Sequence, residues 1–244
     1  MKNFSIFFIL LVSIGCSKND DFQDETGSSG LLKSIISPTS NSNYSSDITT
    51  KLFYINGSKL KRMEFYQKTI DYTNDFTFIF FYEGDLIIKI ETFKNDNDQP
   101  HVIDYFEYNS AQRLIKYVRN FIGDITSYEY SYLANGNIGE TIILNDIVNP
   151  LDKKELKIQH NNLVEDSHTK YTYDNMKSPY YGITGLDKIY FVNKRSPFDN
   201  YPSYKNNIIK TIRTDITSVL NYTYEYNSDG KPTKNNFTTF YNYY

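Results

Sequence analysis

A short pattern that recurs along the chain constrains its fold more than any other feature. Each copy is a strand-like segment that ends in tyrosine, a turn of polar or small residues, and a leucine or isoleucine about six residues after the tyrosine. The clearest copies are residues 54–60, 108–114 and 132–138. Asn-Gly and Asp-Gly supply the positive φ that tight hairpins require, so the pattern predicts a β-hairpin at each copy.

Weaker copies continue the pattern: a shortened one from Tyr82 to Leu86, a degenerate one at residues 158–163 and a late one at residues 226–232. The turns through residue 162 are spaced by roughly 24–28 residues, which fits two strands and a return turn. No long stretch shows helical periodicity between caps. We therefore expect an all-β fold. Because about a dozen strands do not stay in one flat sheet, it should be a strongly curved antiparallel meander of repeated hairpins, forming an open or partly closed barrel.

Aromatic residues are the material from which such a sheet would be stabilised. The chain has 24 Tyr and 17 Phe but no Trp, and tyrosine and phenylalanine pack well on a pleated surface. Residues 78–82 are apolar throughout, which predicts a strand covered on both faces. The net charge of −3 argues against a nucleic-acid-binding surface, which would require a basic stripe.

Residues 179–204 interrupt the repeats and are expected to cover the sheet. Prolines in this segment block ladder pairing, while residues 183–192 fit a short helix or a turn. Strands should resume at 207–214, 218–226 and 234–243. The segment also holds the candidate ligand-binding residues Tyr180, Tyr181, Tyr201 and Tyr204. Rigid aromatic rings can stack on a sugar or anchor a protein, or these four can instead seal the open end of the sheet.

The N-terminus has the parts of an export signal. A lysine is followed by an apolar run over residues 4–14 and by Gly15-Cys16. A run of about 11 residues is too short for a permanent span, which needs roughly 20. Residues 1–15 are therefore predicted to be a signal peptide, and an ordinary signal peptide with a chance cysteine nearby is the alternative.

Residues 13–16 resemble a lipobox, and this resemblance implies cleavage before Cys16 and attachment of diacylglycerol to its thiol, with palmitate as a typical acyl chain. Cys16 is the only cysteine, so no disulfide within the chain explains it. Lipidation with more than one acyl chain anchors a protein stably to a membrane.

Polar and acidic residues follow the cysteine. Residues 16–21 resemble the acidic stretch that directs lipoproteins of Bacteroidetes-type bacteria to the outer face of the outer membrane. A charged tether facing the periplasm is the alternative. We interpret residues 16–30 as the lipidated cysteine and a disordered leash, and residues 31–244 as one β domain.

Residues 170–179, 206–210 and 222–234 together resemble uncharacterised Bacteroidetes-type lipoproteins, whose domain of unknown function is assigned a porin-like antiparallel β fold. The Tyr-x-Tyr-Asn-x-x-Gly turns also resemble the YD repeats of Rhs-type surface proteins. The resemblance implies a porin-like sheet on an outer-membrane lipoprotein. Neither family carries a catalytic motif that transfers to this sequence.

Residues with catalytic or metal-binding chemistry occur without a recognised arrangement. His101, His160 and His168 lack zinc-site spacing, and residues 95–99 lack the Gly and distal Glu of an EF-hand. Glu83, Asp85 and Glu91 can pair as acid and base across a sheet, but 29 acidic residues produce such pairs by chance. We expect no catalytic residue, metal site or cofactor.

The sequence therefore favours a non-enzymatic binding or scaffold protein at the cell surface, held to the membrane through Cys16, with a glycan or a protein as its ligand. A glycan-binding or glycan-processing accessory protein is the alternative. An integral outer-membrane barrel is a third hypothesis, because the aromatic residues 237–244 resemble the assembly signal of such barrels.

Overall fold

The computed structural model describes residues 29–41, 44–69, 71–95, 97–144, 147–192 and 204–244. The predicted signal peptide and Cys16 lie outside these residues. The described elements are β1 (Leu32–Asn41), β2 (Tyr44–Ile55), β3 (Lys59–Lys68), β4 (Thr73–Glu83), β5 (Leu86–Lys94), β6 (Val102–Tyr108), β7 (Leu114–Phe121), β8 (Asp124–Tyr132), β9 (Ile138–Leu144), β10 (Ile147–Gln159), β11 (Asn162–Glu165), β12 (Thr169–Lys177), α1 (Leu186–Ile189), β13 (Asn206–Arg213), β14 (Ser218–Asn221), β15 (Tyr224–Tyr226), β16 (Pro232–Asn235) and β17 (Phe240–Tyr243). No helix among the described residues has the length and apolar character needed to cross a membrane.

The strands form an antiparallel meander, as the sequence predicts. From β1 to β14 each strand pairs with the next, and β17 pairs with both β16 and β1. The sheet is not closed. Among the described pairings β14 joins only β13 and β15 joins only β16, while the chain passes from β14 to β15 through Tyr222 and Thr223.

The hairpins that begin with tyrosine share one register. Tyr54 pairs with Leu60 and Tyr108 with Leu114, and in each hairpin the second strand carries one extra residue just before this pair. Such a bulge bends the strand and increases its twist. In the shortened hairpin the partner of Tyr82 is Ile87, which is buried, rather than the expected Leu86. The two-residue turn sets this pairing, because it places Glu83 opposite Leu86 and therefore Tyr82 opposite Ile87, while the bulge follows on the side of this pair away from the turn.

Tyrosine hydroxyls join neighbouring hairpins at the end of the sheet where these turns lie. Ladder pairing of β5 with β6 stops at Lys89 and Tyr105, and beyond it the Tyr108 hydroxyl donates to the Ile87 carbonyl at 2.7 Å. The same bond links Tyr54 to the Leu32 carbonyl at 2.7 Å. We call these side chains the tyrosine latches: Tyr54, Tyr82, Tyr108, Tyr132 and Tyr173. Tyr82 differs in accepting a hydrogen bond, from the Leu60 backbone N–H at 3.0 Å.

The concave side of the sheet is filled by its own side chains. Phe106, Tyr117 and Tyr128 form a continuous stack with ring centroids 5.3 Å apart at each step. The Tyr117 hydroxyl donates to Asp104 Oδ1 at 2.7 Å, and Arg119 Nη1 lies 3.7 Å from the same oxygen. Burial, reinforced by the Asp104 charge, raises the pKa of Tyr117, so this phenol stays protonated as the donor.

The convex side carries charges, and cations cover several of its aromatic rings. Arg62 lies 4.2 Å from the Phe53 ring centroid and Lys89 lies 3.9 Å from that of Phe81. Such cation–π contacts allow an aromatic strand to face water. On the outer face of the apolar run at residues 78–82, Lys89 covers the Phe81 ring. The segment 179–204, which was expected to cover such a strand, lies in part outside the described residues. Phe80, in the same run, is buried in the core.

Removing one latch hydroxyl should destabilise the sheet. Tyr108→Phe leaves the ring in place but removes the hydrogen bond to the Ile87 carbonyl, so we expect the free energy of unfolding in urea to fall by about 1–2 kcal/mol. Tyr105→Phe is the matched control, because Tyr105 is an exposed tyrosine on the same strand, three residues before Tyr108. Its effect should stay within about 0.5 kcal/mol. Equal losses for the two variants would show that the latch bond is not specifically stabilising.

Alkaline pH should unfold the protein through its buried tyrosines. Burial raises the pKa of Tyr54, Tyr82, Tyr108 and Tyr173 above that of an exposed phenol. The contribution of these groups to stability is complete below about pH 10, where the unfolded chain also keeps its protons. It is lost as the pH rises towards the folded-state pKa values. Phenolate absorbance should therefore rise in two phases, the second coinciding with loss of β-sheet circular dichroism; a single phase with the sheet intact would contradict it.

Candidate functional site

The segment between β12 and β13 contains the predicted tyrosine cluster and is fixed at its base by Ser178. This serine is fully buried directly after β12. Its hydroxyl donates to the Tyr204 carbonyl at 2.6 Å and accepts from the Tyr180 N–H at 3.2 Å, while its own N–H donates to the Lys205 carbonyl at 3.0 Å. One small side chain therefore holds both ends of the segment together.

A carboxylate below Ser178 secures the two strands that carry the segment. Asp174 Oδ1 accepts from the backbone N–H groups of Met176 and Asn207, each at 3.0 Å, and Oδ2 accepts from Asn207 Nδ2 at 3.1 Å. The Tyr226 hydroxyl also donates to Oδ2. Burial, with Asp174 as the next cause, raises the pKa of Tyr226 and keeps that hydroxyl protonated. Asp174 thus links β12, β13 and β15.

The described first part of the segment, residues 178–192, turns into the concave side of the sheet and closes this end of it. Ile183, Leu186 and Ile189 are buried in the same core as the strands, and the Phe191 ring meets that of Tyr130 edge-on at 5.1 Å. We call residues 183–192 the plug. The plug contacts the β2–β3 turn through polar groups. The Thr184 N–H donates to the Ser58 carbonyl at 3.0 Å, and the hydroxyl oxygens of Thr184 and Ser58 lie 2.7 Å apart.

Gly185 is required where the plug passes the β4–β5 turn. Its φ is +86°, and a Cβ at this position would lie 2.9 Å from Ile87 Cγ1 and 3.0 Å from the Asp85 carbonyl oxygen. Both the backbone conformation and the close approach exclude a larger residue. The short helix α1 follows directly, within the predicted range 183–192.

The structure separates the predicted tyrosines into two environments. Tyr180 is 5% exposed and belongs to the core, so its ring offers no surface to a ligand. Tyr181 is 39% exposed and stacks on Tyr204 with centroids 5.9 Å apart and an interplanar angle of 29°. Lys177 Nζ lies 5.7 Å from the Tyr181 ring centroid. Tyr201 lies outside the described residues.

Tyr204 is held in a fixed position within this pair. Its hydroxyl accepts from the Gly182 N–H at 3.3 Å, and Gly182 has a φ of +95° at the turn after Tyr181. Burial raises the pKa of Tyr204, while the bond from Gly182 opposes the shift. Tyr181 and Tyr204, which we call the aromatic pair, therefore present one rigid stacked surface beside a lysine.

The other residues with candidate chemistry are dispersed. Asp85 pairs with Lys59 at 3.0 Å and Glu91 with Lys89 at 2.8 Å, while Glu83 is exposed at the end of β4. Glu91 lies opposite Ile79, four residues or about 13 Å along the strand from Glu83. His160 and His168 are exposed in separate turns, and the His101 ring meets Phe121 edge-on at 4.8 Å. Within the described ranges no group of three or more His, Cys, Asp or Glu could hold a metal ion.

Sequence reasoning did not single out Ser178, Asp174 or Asn207, although they position the aromatic pair. A buried serine before proline and an aspartate in a tyrosine-rich strand carry no local signal of their distant partners, which lie 26 to 52 residues away in the chain. The buried Asp104 was also missed. Its signal was an acidic residue at an inward position of an alternating strand.

No protein-family model matches the sequence, and no curated protein matches it. Among solved structures, a crystal structure described as a porin-like protein from Bacteroides uniformis ATCC 8492 is similar to this chain. The two share 12% sequence identity with a TM-score of 0.54, and the match covers 91% of this chain and all of the other. At this identity the similarity shows the fold alone: the unclosed antiparallel meander is a porin-like sheet.

Proposed function

We propose that this chain is a lipoprotein anchored in the outer membrane through Cys16, and that its β domain is a non-enzymatic binding or scaffold protein displayed at the cell surface. The observation that carries the proposal is the packed interior. Side chains of the strands and of the plug fill the concave side of the sheet, so a ligand would have to bind to the outer surface of the domain.

The position of the first described residues supports a tether at the plug end. The Gly30 N–H donates to the Tyr244 carbonyl at 2.9 Å, and Leu31 lies 3.5 Å from where a Cβ on Gly182 would be. Thirteen residues, 17–29, separate Cys16 from Gly30 and reach at most about 45 Å. A lipid on Cys16 would therefore leave the plug end towards the membrane and the opposite hairpin turns directed away from it.

The convex face supports a domain that stands in water. Glu107 pairs across the sheet with Lys116, which pairs in turn with Glu129. Opposite charges on neighbouring strands attract each other and remain hydrated. A porin-like sheet with these charges outward suits a tethered domain beside the membrane better than one embedded in it.

Protease treatment of intact cells tests the location. We expect the wild-type domain to be degraded from intact cells, as followed with an antiserum against the domain, while a periplasmic marker protein stays whole. The Cys16→Ala variant should disappear from the membrane fraction, because it cannot carry the diacylglycerol.

Two outcomes would contradict the proposal separately. Protection of the wild-type domain until the outer membrane is opened would place it on the periplasmic side. Retention of Cys16→Ala in the membrane fraction after a salt wash would show that the lipid is not the anchor.

The aromatic pair favours glycan binding as a second candidate function. Stacked, fixed tyrosine rings present the apolar surface on which sugar rings pack, and the Lys177 ammonium, 5.7 Å from the Tyr181 ring centroid, is a donor for a hydroxyl or a carboxylate. This surface lies at the plug end, so a glycan bound there would be close to the membrane.

Glycan binding predicts that saccharides quench tyrosine fluorescence, and that Tyr181→Ala abolishes the response. Tyr72→Ala is the matched control, because Tyr72 is also exposed but lies in the turn between β3 and β4. A broad panel of neutral and acidic oligosaccharides with no response would exclude this candidate. An equal response in the two variants would place the sugar elsewhere.

A further inference from the structure

The sheet contains a gap beside β14. The hairpin β16–β17 is short, because the predicted strand 234–243 is divided by a turn in which Asn235 Oδ1 accepts from the Phe237 and Thr239 N–H groups. β17 therefore pairs with β1 only as far as Ile36 and Phe240, whereas β1 continues along β2 to Asn41. We call the space beyond this turn the notch; Ser218–Asn221 form one side, residues 37–41 the other, and residues 236–238 the floor.

The width of the notch follows from strand spacing. Two strands, β16 and β17, separate β15 from β1 below the turn, so the walls stand about three strand spacings, or 14 Å, apart. One or two extended strands fit this space.

Backbone groups on the β14 side point into the notch. The Tyr222 N–H donates to the Ile209 carbonyl on β13, so Tyr222 is oriented towards β13. Alternation along an antiparallel strand then directs the N–H and C=O groups of Asn221 and Val219 to the opposite side. β14 is thus an edge strand whose second row of hydrogen-bonding groups faces the notch.

Asn236 shows how this edge is satisfied where the notch ends. Its side-chain amide donates to the Asn221 carbonyl at 3.0 Å and accepts from the Thr223 N–H at 3.1 Å, and its backbone N–H donates to the Thr223 carbonyl at 3.0 Å. Asn236 replaces a neighbouring strand at these two residues. Further along, the Asn221 N–H and both backbone groups of Val219 have no protein partner within the described part of the chain.

Apolar side chains surround these groups. Val219 is 51% exposed and Leu220 is 44% exposed. Because consecutive residues of a strand face opposite sides, both faces of β14 are open to solvent at these residues. Phe237 on the floor is 49% exposed, and Ile36 and Phe240 beneath the opposite wall are each 40% exposed. The notch therefore combines an unpaired strand edge with apolar surface on both faces of that strand.

The opposite wall is protected against strand addition and β14 is not. Pro38 has no N–H, and its carbonyl already accepts from Thr238 Oγ1 at 3.1 Å. Proline and charged residues are the usual means by which sheets block their edges. Ser218–Asn221 contain neither.

We propose that β14 binds an extended β-strand segment of a partner protein in the notch, through the backbone groups of Val219 and Asn221. The inference rests on the proposed binding function and names the class of partner that this function serves. Alternating backbone donors and acceptors match another strand, whereas a lipid or a glycan does not offer that alternation.

A second copy of the chain fits less well. A contact between two copies of β14 would involve only four residues on each side. The area that it buries would be far smaller than the roughly 1,200 Å² that a stable dimer buries. A single inserted segment instead pairs with β14 and lies above the floor at residues 236–238, within a space that is two strands wide. The geometry points to a thin, extended partner segment.

Peptide binding tests the proposal with the full chain carrying Cys16→Ala, purified in detergent. The probes are fluorescein-labelled peptides of alternating threonine and valine with a lysine at each end, and variants with isoleucine, leucine or phenylalanine in place of valine. We expect at least one to bind, as measured by fluorescence polarisation. The same peptide with N-methyl groups on alternate residues should bind about tenfold more weakly or not at all, because it lacks backbone donors on one edge.

Two substitutions at one position localise the binding. Val219→Pro removes an N–H that points into the notch and leaves the bonds of β14 to β13 in place, so affinity should fall about tenfold with the melting temperature nearly unchanged. Val219→Thr keeps the N–H and the branched side chain, and should bind within about twofold of the parent chain.

The inference is overturned if no peptide of the panel binds, if the N-methylated peptide binds as tightly as its parent, or if folded Val219→Pro keeps full affinity. Should Val219→Pro fail to fold, the N-methylated peptide alone decides the question. None of these results depends on where the protein lies in the cell, so failure here leaves the protease experiment, and the anchor it tests, unaffected.

Discussion

The hydrogen bond between a latch tyrosine and the backbone of the neighbouring hairpin is the interaction on which the rest of the structure depends. Adjacent hairpins are joined by turns only at the end of the sheet opposite the tyrosine latches. The ladder pairing between them stops before it reaches the end where the latches lie. Without the latches, the backbone groups of the buried Leu60, Ile87 and Leu114 would lie in an apolar environment without these bonds. A phenol is protonated at neutral pH, and burial, which raises the pKa of the latch tyrosines, keeps their hydroxyls protonated into the alkaline range as well.

The latches also make room for the plug. Strands that diverge at their ends leave space between them, and the bulges before Tyr54, Tyr82 and Tyr108 bend the sheet around that space. The plug fills it with Ile183, Leu186 and Ile189, and Gly185 allows the close approach to the β4–β5 turn. A plug anchored by Ser178 and Asp174 then fixes the aromatic pair on the outside. The same packing that stabilises the sheet thus fills the interior of the described domain and leaves its outer surfaces as the ones accessible to a ligand.

How far the sequence predicted the structure depends on the range of the interactions. The hairpins were predictable because the tyrosine, the turn and the aliphatic residue lie within about seven positions of each other, so their chemistry is local. Even there the shorter turn after Tyr82 places Glu83 opposite Leu86 and Tyr82 opposite Ile87, which a fixed spacing between tyrosine and aliphatic residue does not predict. The position of Tyr180 in the core and of Tyr181 outside was not predictable, because adjacent tyrosines of one loop differ only in what packs against them. The contacts of Asp174 and the length of the β16–β17 hairpin depend on residues distant in sequence or on one asparagine side chain.

Which strand edges of the sheet are paired, blocked or open decides where another strand could bind. Strands β3 and β7 have two neighbours for most of their length, whereas β10 pairs with β9 and with β11 at different residues. Beyond Ile36, β1 is protected by Pro38 and by the Thr238 hydroxyl. An exposed, apolar, unblocked edge is a liability, since it promotes pairing between copies of a protein. β14 limits that liability by its length of four residues and by its position in a notch that admits a thin segment. The notch opens among the turns opposite the plug end, which is the side that a tether at Gly30 would direct away from the membrane. An edge that is short and recessed is suited to selective strand capture and poorly suited to self-association.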